Sequence, residues 1–192
     1  MNQKRKLWTR FIGISVGLLL MFTGLCGGAV YLVYENVSEP EFAVHDGAVG
    51  RFTVEFPGKP WRANPVSWGH GGITSFPMVA FERTWPDETY AIAWRDLDED
   101  ELQFGPGVIL NSVIDGSTSF NPILKEVLRR EELTVHGHPA VEVVLAVHYS
   151  QGKGYLRAVL AGKRLYVLSV GGAWIQDDSV RAKYFLNSFQ PR

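Results

Sequence analysis

From Phe11 to Tyr34 the chain runs 24 residues without a charge, with Leu18, Leu19, Leu20, Met21 and Phe22 at its middle. Roughly 20 helical residues, rising about 1.5 Å each, cross a hydrocarbon core of about 30 Å, so this run predicts a membrane-spanning helix over 11–34. The core of a secretion signal is shorter, about 7 to 15 residues. Beyond Tyr34 the pattern changes. Residues 35–48 are polar and contain Pro40, and read as a stalk. Arg51-Phe52-Thr53-Val54-Glu55-Phe56 then alternates, which predicts a strand with Phe52, Val54 and Phe56 on one face, ended by Pro57-Gly58.

Extended runs follow at 74–84 and 88–97, with Trp85-Pro86-Asp87 as the turn of a hairpin. Between Pro106 and Asp115, Ile109, Leu110, Val113 and Ile114 recur at helical spacing; Pro106 suits a first turn and Gly116 a stop. Four more strands, at 123–135, 139–149, 153–161 and 164–171, are separated by His136-Gly137-His138, Gln151-Gly152 and Gly162-Lys163, the signature of an antiparallel meander. Asp177 and Asp178 introduce a final helix over 179–189, whose expected buried face is Val180, Tyr184 and Phe185. Together these elements predict an α+β protein in four parts: a basic tail 1–10, a transmembrane helix 11–34, a stalk 35–48, and a domain 49–192 in which two helices pack on an antiparallel sheet.

At 192 residues the chain holds one such domain beside its anchor. Four of its 19 basic residues, Lys4, Arg5, Lys6 and Arg10, precede the apolar run, and all 20 acidic residues stand at Glu35 or later. Positive charge before the run and Glu35, Glu39 and Glu41 after it put the N-terminus in the cytoplasm and the domain outside it. Trp8, Tyr31 and Tyr34 occupy interfacial positions. The alternative is a cleaved signal, with Gly27-Gly28-Ala29 as small residues for a peptidase and a secreted product. A mildly acidic domain without basic clusters argues against nucleic acid as a partner. The single cysteine, Cys26, lies within the apolar run, so the domain folds without an intrachain disulfide; Leu25 before it departs from the small residue that a lipoprotein signal places there.

Three stretches carry a family likeness. Gly50-Arg51-Phe52-Thr53-Val54-Glu55-Phe56-Pro57-Gly58-Lys59-Pro60 opens the domain, Gly137-His138-Pro139-Ala140-Val141-Glu142 makes a tight turn into a strand, and Arg164-Leu165-Tyr166-Val167-Leu168-Ser169-Val170 with Tyr184-Phe185-Leu186-Asn187-Ser188-Phe189 closes it. In these residues and in the order of its elements the chain resembles the PsbP-like fold, shared by an extrinsic subunit of photosystem II, a Ran-binding import factor and bacterial envelope proteins. The resemblance spans roughly 50 to 190 and implies an α/β/α sandwich used for binding without catalysis. All three stretches are structural, so no catalytic group is carried over.

Candidate chemistry is sparse. Asp96-Leu97-Asp98-Glu99-Asp100-Glu101 could begin a calcium loop, but Glu101 stands where that loop needs glycine and Gly107 where it needs glutamate, so a solvated acidic turn is expected. His136 and His138, with Glu142 or His148, could hold zinc, yet Gly137 between them marks a hairpin turn. In the domain no serine lies in G-x-S-x-G, the one match being Gly13-Ile14-Ser15-Val16-Gly17 inside the apolar run, and there is no phosphate loop. No metal or cofactor is expected. Five tryptophans fall in the domain, at 61, 68, 85, 94 and 174. Trp61 and Trp68, with His70, flank a Gly-, Pro- and Ser-containing stretch and are the candidate binding residues, because tryptophan is enriched where partners bind. The expected function is a non-catalytic accessory module docking a protein partner in the envelope. The competing class is a small-ligand receptor or hydrolase whose pocket brings His70, Asp96 or Glu142 together.

Overall fold

The computed structural model describes residues 41–67, 75–84, 87–120, 124–147 and 151–192, which belong to one compact unit running from Pro40 to Arg192. The expected membrane helix 11–34, and also Trp68, His70, Trp85, Pro86 and His148, lie outside the described residues. No helix among the described residues is long and apolar enough to cross a membrane.

The unit is α+β. Strands β1 (Ala43–Gly47) and β2 (Phe52–Phe56) pair antiparallel, and a two-residue strand β10 (Gln190–Pro191) returns to the far side of β2. A seven-stranded antiparallel sheet is built from β3 (Trp61–Ser67), β4 (Ser75–Thr84), β5 (Asp87–Asp96), β6 (Leu124–Val135), β7 (His138–Val147), β8 (Lys153–Ala161) and β9 (Arg164–Gly172), in the order β3-β4-β5-β9-β8-β7-β6. Between β5 and β6 lie a one-turn helix α1 (Glu99–Leu102) and the longer α2 (Gly105–Phe120); α3 (Val180–Ser188) precedes β10. Two meanders are therefore joined by a helical crossover, and β9 closes the sheet by pairing along the whole of β5.

Alternation decides the two faces. On one face Tyr90, Ile92 and Trp94 of β5, Tyr166, Leu168 and Val170 of β9, and Tyr155 and Val159 of β8 meet Phe52, Val54 and Phe56 of β2 and Ala182, Phe185 and Leu186 of α3 in one apolar core. Phe189 closes it, its ring 5.1 Å from that of Tyr166. Each fully buried phenylalanine here stabilises the fold by about 1.5–3 kcal/mol relative to exposure. On the other face Val141, Val143, Leu145, Leu156, Ala158, Leu165 and Val167 meet Ile109, Leu110 and Ile114 of α2 in a second core. Helices thus stand on opposite faces of the large sheet.

Four local differences from the sequence reading have physical causes. Ala43–Gly47, assigned to the stalk by its polarity, is a strand, because β2 needs a partner and Gly47 leaves room for the Phe52 ring, 2.3 Å from where a Cβ would stand. Gly116 does not stop α2. It is buried within the helix, which runs on to Phe120. Residues 61–67, given no element in the sequence reading, form β3, with a register shift between Ala63 and Val66 around Pro65. In α3 the buried residues are Ala182, Phe185 and Leu186, whereas Val180 is 79% and Tyr184 47% exposed. The β6–β7 turn is as expected: His136 (φ 48°) and Gly137 (φ 83°) both take the left-handed conformation that a two-residue hairpin loop demands.

Candidate binding surface

The carboxylates that a catalytic or metal site would draw on are committed to basic partners. Asp96 ends β5 directly opposite Arg164, which donates from Nε at 2.6 Å and Nη2 at 2.7 Å; that guanidinium holds the Asp96 carboxyl below its ordinary range. Glu101 in α1 receives Arg95 Nη1 at 3.0 Å and the Asp98 backbone N–H at 2.9 Å, so Arg95 lowers its pKa and the acidic stretch folds into a helical turn. Glu88, 2% exposed, accepts from Tyr90 Oη at 3.1 Å and Arg181 Nη1 at 3.0 Å. Burial, reinforced by Glu88, pushes the Tyr90 hydroxyl far up. Glu142 accepts from the buried Arg157 at 2.8 Å. Asp96 and Glu142 do not converge: β5 and β7 are separated by β9 and β8, which at about 4.8 Å per strand is roughly 14 Å. No group of three or more potential metal ligands occurs among the described residues. His136 and His138 flank Gly137 at the β6–β7 turn, apart from the acidic turn of α1.

The five domain tryptophans divide. Trp94 is buried with its ring 5.3 Å from Phe52, Trp174 is 56% exposed after β9, and Trp61 is 48% exposed at the start of β3, an edge strand. The candidate residues Trp68 and His70 are not described, so Trp61 alone of the proposed binding set is placed.

Register shows what Trp61 stands over. Trp61 pairs with Ala80, Ala80 with Ala91, Ala91 with Ser169, Ser169 with Leu156 and Leu156 with Val143, one row of side chains crossing five strand pairs on the same face. The next row reads Met78, Ala93, Val167, Ala158 and Val141. Leu156, Val143, Val167 and Val141 lie under α2, which packs on β6, β7 and β8. Arg130 at the end of the first row fixes α2 through Asp115, 2.5 Å away. Beyond the helix the same face carries the short Ala80, Ala91, Ala93, Ser169 and Gly171, with the longer Met78 and Arg95 among them. The three alanines are buried yet belong to neither apolar core. The result is a stretch of short, mostly buried side chains between Trp61 on one side and α2 on the other. Sequence reasoning missed it; the available signal was Ala91 and Ala93 at strand period in β5.

No protein-family model and no curated protein matches the chain. Among solved structures, a Pseudomonas aeruginosa protein of unknown function is similar over 79% of this chain and 98% of its own, with 12% identity and a TM-score of 0.44.

Proposed function

We propose that this chain is a membrane-anchored, extracytoplasmic binding module without catalytic machinery, held at the bilayer by residues 11–34 and docking a protein partner of the envelope through the Trp61 edge of its large sheet. The anchor rests on the uncharged run and the charge asymmetry around it. In the same reading the domain is an α/β/α sandwich of the PsbP-like kind; helices on opposite faces of one antiparallel sheet support it.

The observation that carries the docking surface is Trp61, a half-exposed indole at the start of the edge strand β3. A large rigid indole left half-exposed is the residue type that anchors interfaces. Tethering to the bilayer raises the effective concentration of partners in the same membrane. The carboxylates of Glu88, Asp96 and Glu142 favour binding over chemistry, because each is paired with an arginine.

The test is photo-crosslinking of the full chain in its own membranes, with a photoreactive residue replacing Trp61 or, as a control, Val108 on α2. A stoichiometric adduct formed from position 61 and not from 108 is expected. Equal labelling from both positions, or none from 61, removes the docking surface.

A further inference from the structure

We infer that the face formed by Phe42, Val44, Val180 and Tyr184 rests on a zwitterionic lipid surface, an inference that depends on the anchored reading above.

These side chains form one strip. Val180 and Tyr184 are one turn apart on α3 and so share a side of it. The Tyr184 ring meets that of Phe42 at 4.7 Å, and its hydroxyl donates to Glu55 Oε2 at 2.6 Å. Glu55 pairs across the small sheet with Val44. Val180 is 79% exposed and Val44 69%, against what helical and strand patterning would bury. A tyrosine with its ring on apolar neighbours and its hydroxyl hydrogen-bonded outward is the residue type that settles at membrane interfaces.

Chain length argues for the occupant. Only residues 35–41 separate Tyr34, the last residue of the apolar run, from Phe42. Fully extended, that connection reaches roughly 28 Å at about 3.5 Å per residue. A domain of this size has a radius of gyration of about 15 Å, so the tether is no longer than the domain is wide. The connection therefore keeps Phe42 within reach of the end of the apolar run, and an exposed apolar strip begins at Phe42 itself. Its charged neighbours include Glu41, Glu55 and Asp178, while Lys183 is paired to Asp178 at 2.9 Å and Arg181 to Glu88 at 3.0 Å, which disfavours an anionic surface. A second exposed apolar pair, Phe104 at 67% and Val108 at 56%, belongs to the helical crossover on the other face of the large sheet and supplies an internal control.

The experiment uses the full chain in phosphatidylcholine vesicles with Cys26→Ser and a single nitrobenzoxadiazole-labelled cysteine at Val180→Cys or at Val108→Cys, quenched by doxyl-labelled lipid. Several-fold stronger quenching at 180 than at 108 is expected, falling when half of the lipid is replaced by phosphatidylglycerol. Equal quenching at the two positions overturns the inference, as does a label at 180 that is shielded from water without quenching by lipid, which would mark a protein contact instead. Alkaline extraction of the vesicles separates the two levels. A chain that is released has no anchor, whereas a retained chain with no difference between labels keeps its anchor and loses only the lipid-facing side.

Discussion

Arg157 of β8 donates from Nε to Glu142 Oε2 at 2.8 Å, directly across from it on β7, and from Nη1 to the carbonyl of Leu186 at 2.7 Å. The carbonyls in the last turn of α3 have no partner within the helix, so this guanidinium satisfies one of them while Glu142 balances its charge. With Arg181 on Glu88 and Tyr184 on Glu55, three polar contacts hold α3 to two different sheets.

Arg157→Ala leaves Glu142, itself only 11% exposed, without its main partner, and also frees the Leu186 carbonyl. Removing one member of a buried pair costs about 3–5 kcal/mol, whereas replacing both by apolar residues of similar volume is near neutral. Arg157→Ala should lower the urea midpoint strongly, and Arg157→Met with Glu142→Leu should recover most of the loss. A single mutant as stable as the parent would show that the pair does not hold α3.

A second prediction concerns close backbone approach at the open end of β8 and β9. A Cβ added at Gly152 would lie 2.0 Å from the Gly172 carbonyl oxygen, and one at Gly172 would lie 2.0 Å from that of Asp87. Gly171, the residue before Gly172 on β9, has nothing nearer than 3.9 Å. Backbone cannot rotate away as a side chain can, so Gly152→Ala should cost upwards of about 1–3 kcal/mol, as overpacking does. Gly171→Ala should be tolerated. Thermal unfolding of the two variants side by side checks the geometry.

The third concerns pH. His45 of β1 packs 5.8 Å from the Phe56 ring and 6.2 Å from that of Phe52, and burial lowers its pKa below the ordinary 6.5 against the opposing pull of Asp46. Below pH 6.5 the unfolded chain binds a proton that the folded chain refuses, so stability is complete above that pH and falls as the solution is acidified through it. Asp96 and Glu101, held low by Arg164 and Arg95, withdraw their contributions only below their ordinary values of 3.8 and 4.5. His45→Gln should flatten the upper window of the stability profile and leave the lower one intact. A slope between neutral pH and 5 that survives this substitution would assign the titration elsewhere.

How much of this was legible follows from what sets each element. The β2 alternation and the four-strand meander were readable because their periodicity and turn glycines are local, and the backbone of His136-Gly137 confirms the turn chemistry. The strand β1 was not. Its only buried residue is Gly47, and it exists because β2 offers hydrogen bonds. Gly116 was misread because a glycine buried within a helix and a glycine ending one look alike in sequence. The stretch of short side chains beside Trp61 depends on register between strands more than ten residues apart, which no local pattern encodes. Arg157 and Glu142 were hidden for the opposite reason: charged residues in alternating strands read as outward-facing until a partner opposite neutralises them.

The last prediction separates the two tryptophans that the structure places most differently. Trp94 is 9% exposed and packs on Phe52, so Trp94→Ala opens a cavity in the first core and should cost about 3–5 kcal/mol. Trp61 is 48% exposed at a sheet edge, where the lost area is far smaller; substitutions at exposed sites usually stay within about 0.5 kcal/mol. In a domain of this size about 1 kcal/mol moves Tm by roughly 2–4 °C, so the two variants should be resolved easily by calorimetry. Trp61→Ala should melt close to the parent while losing partner capture from its own membranes. If it instead melts as low as Trp94→Ala, the indole is a structural cap over Ala80 and Ala91, and the surface proposed for binding is part of the interior.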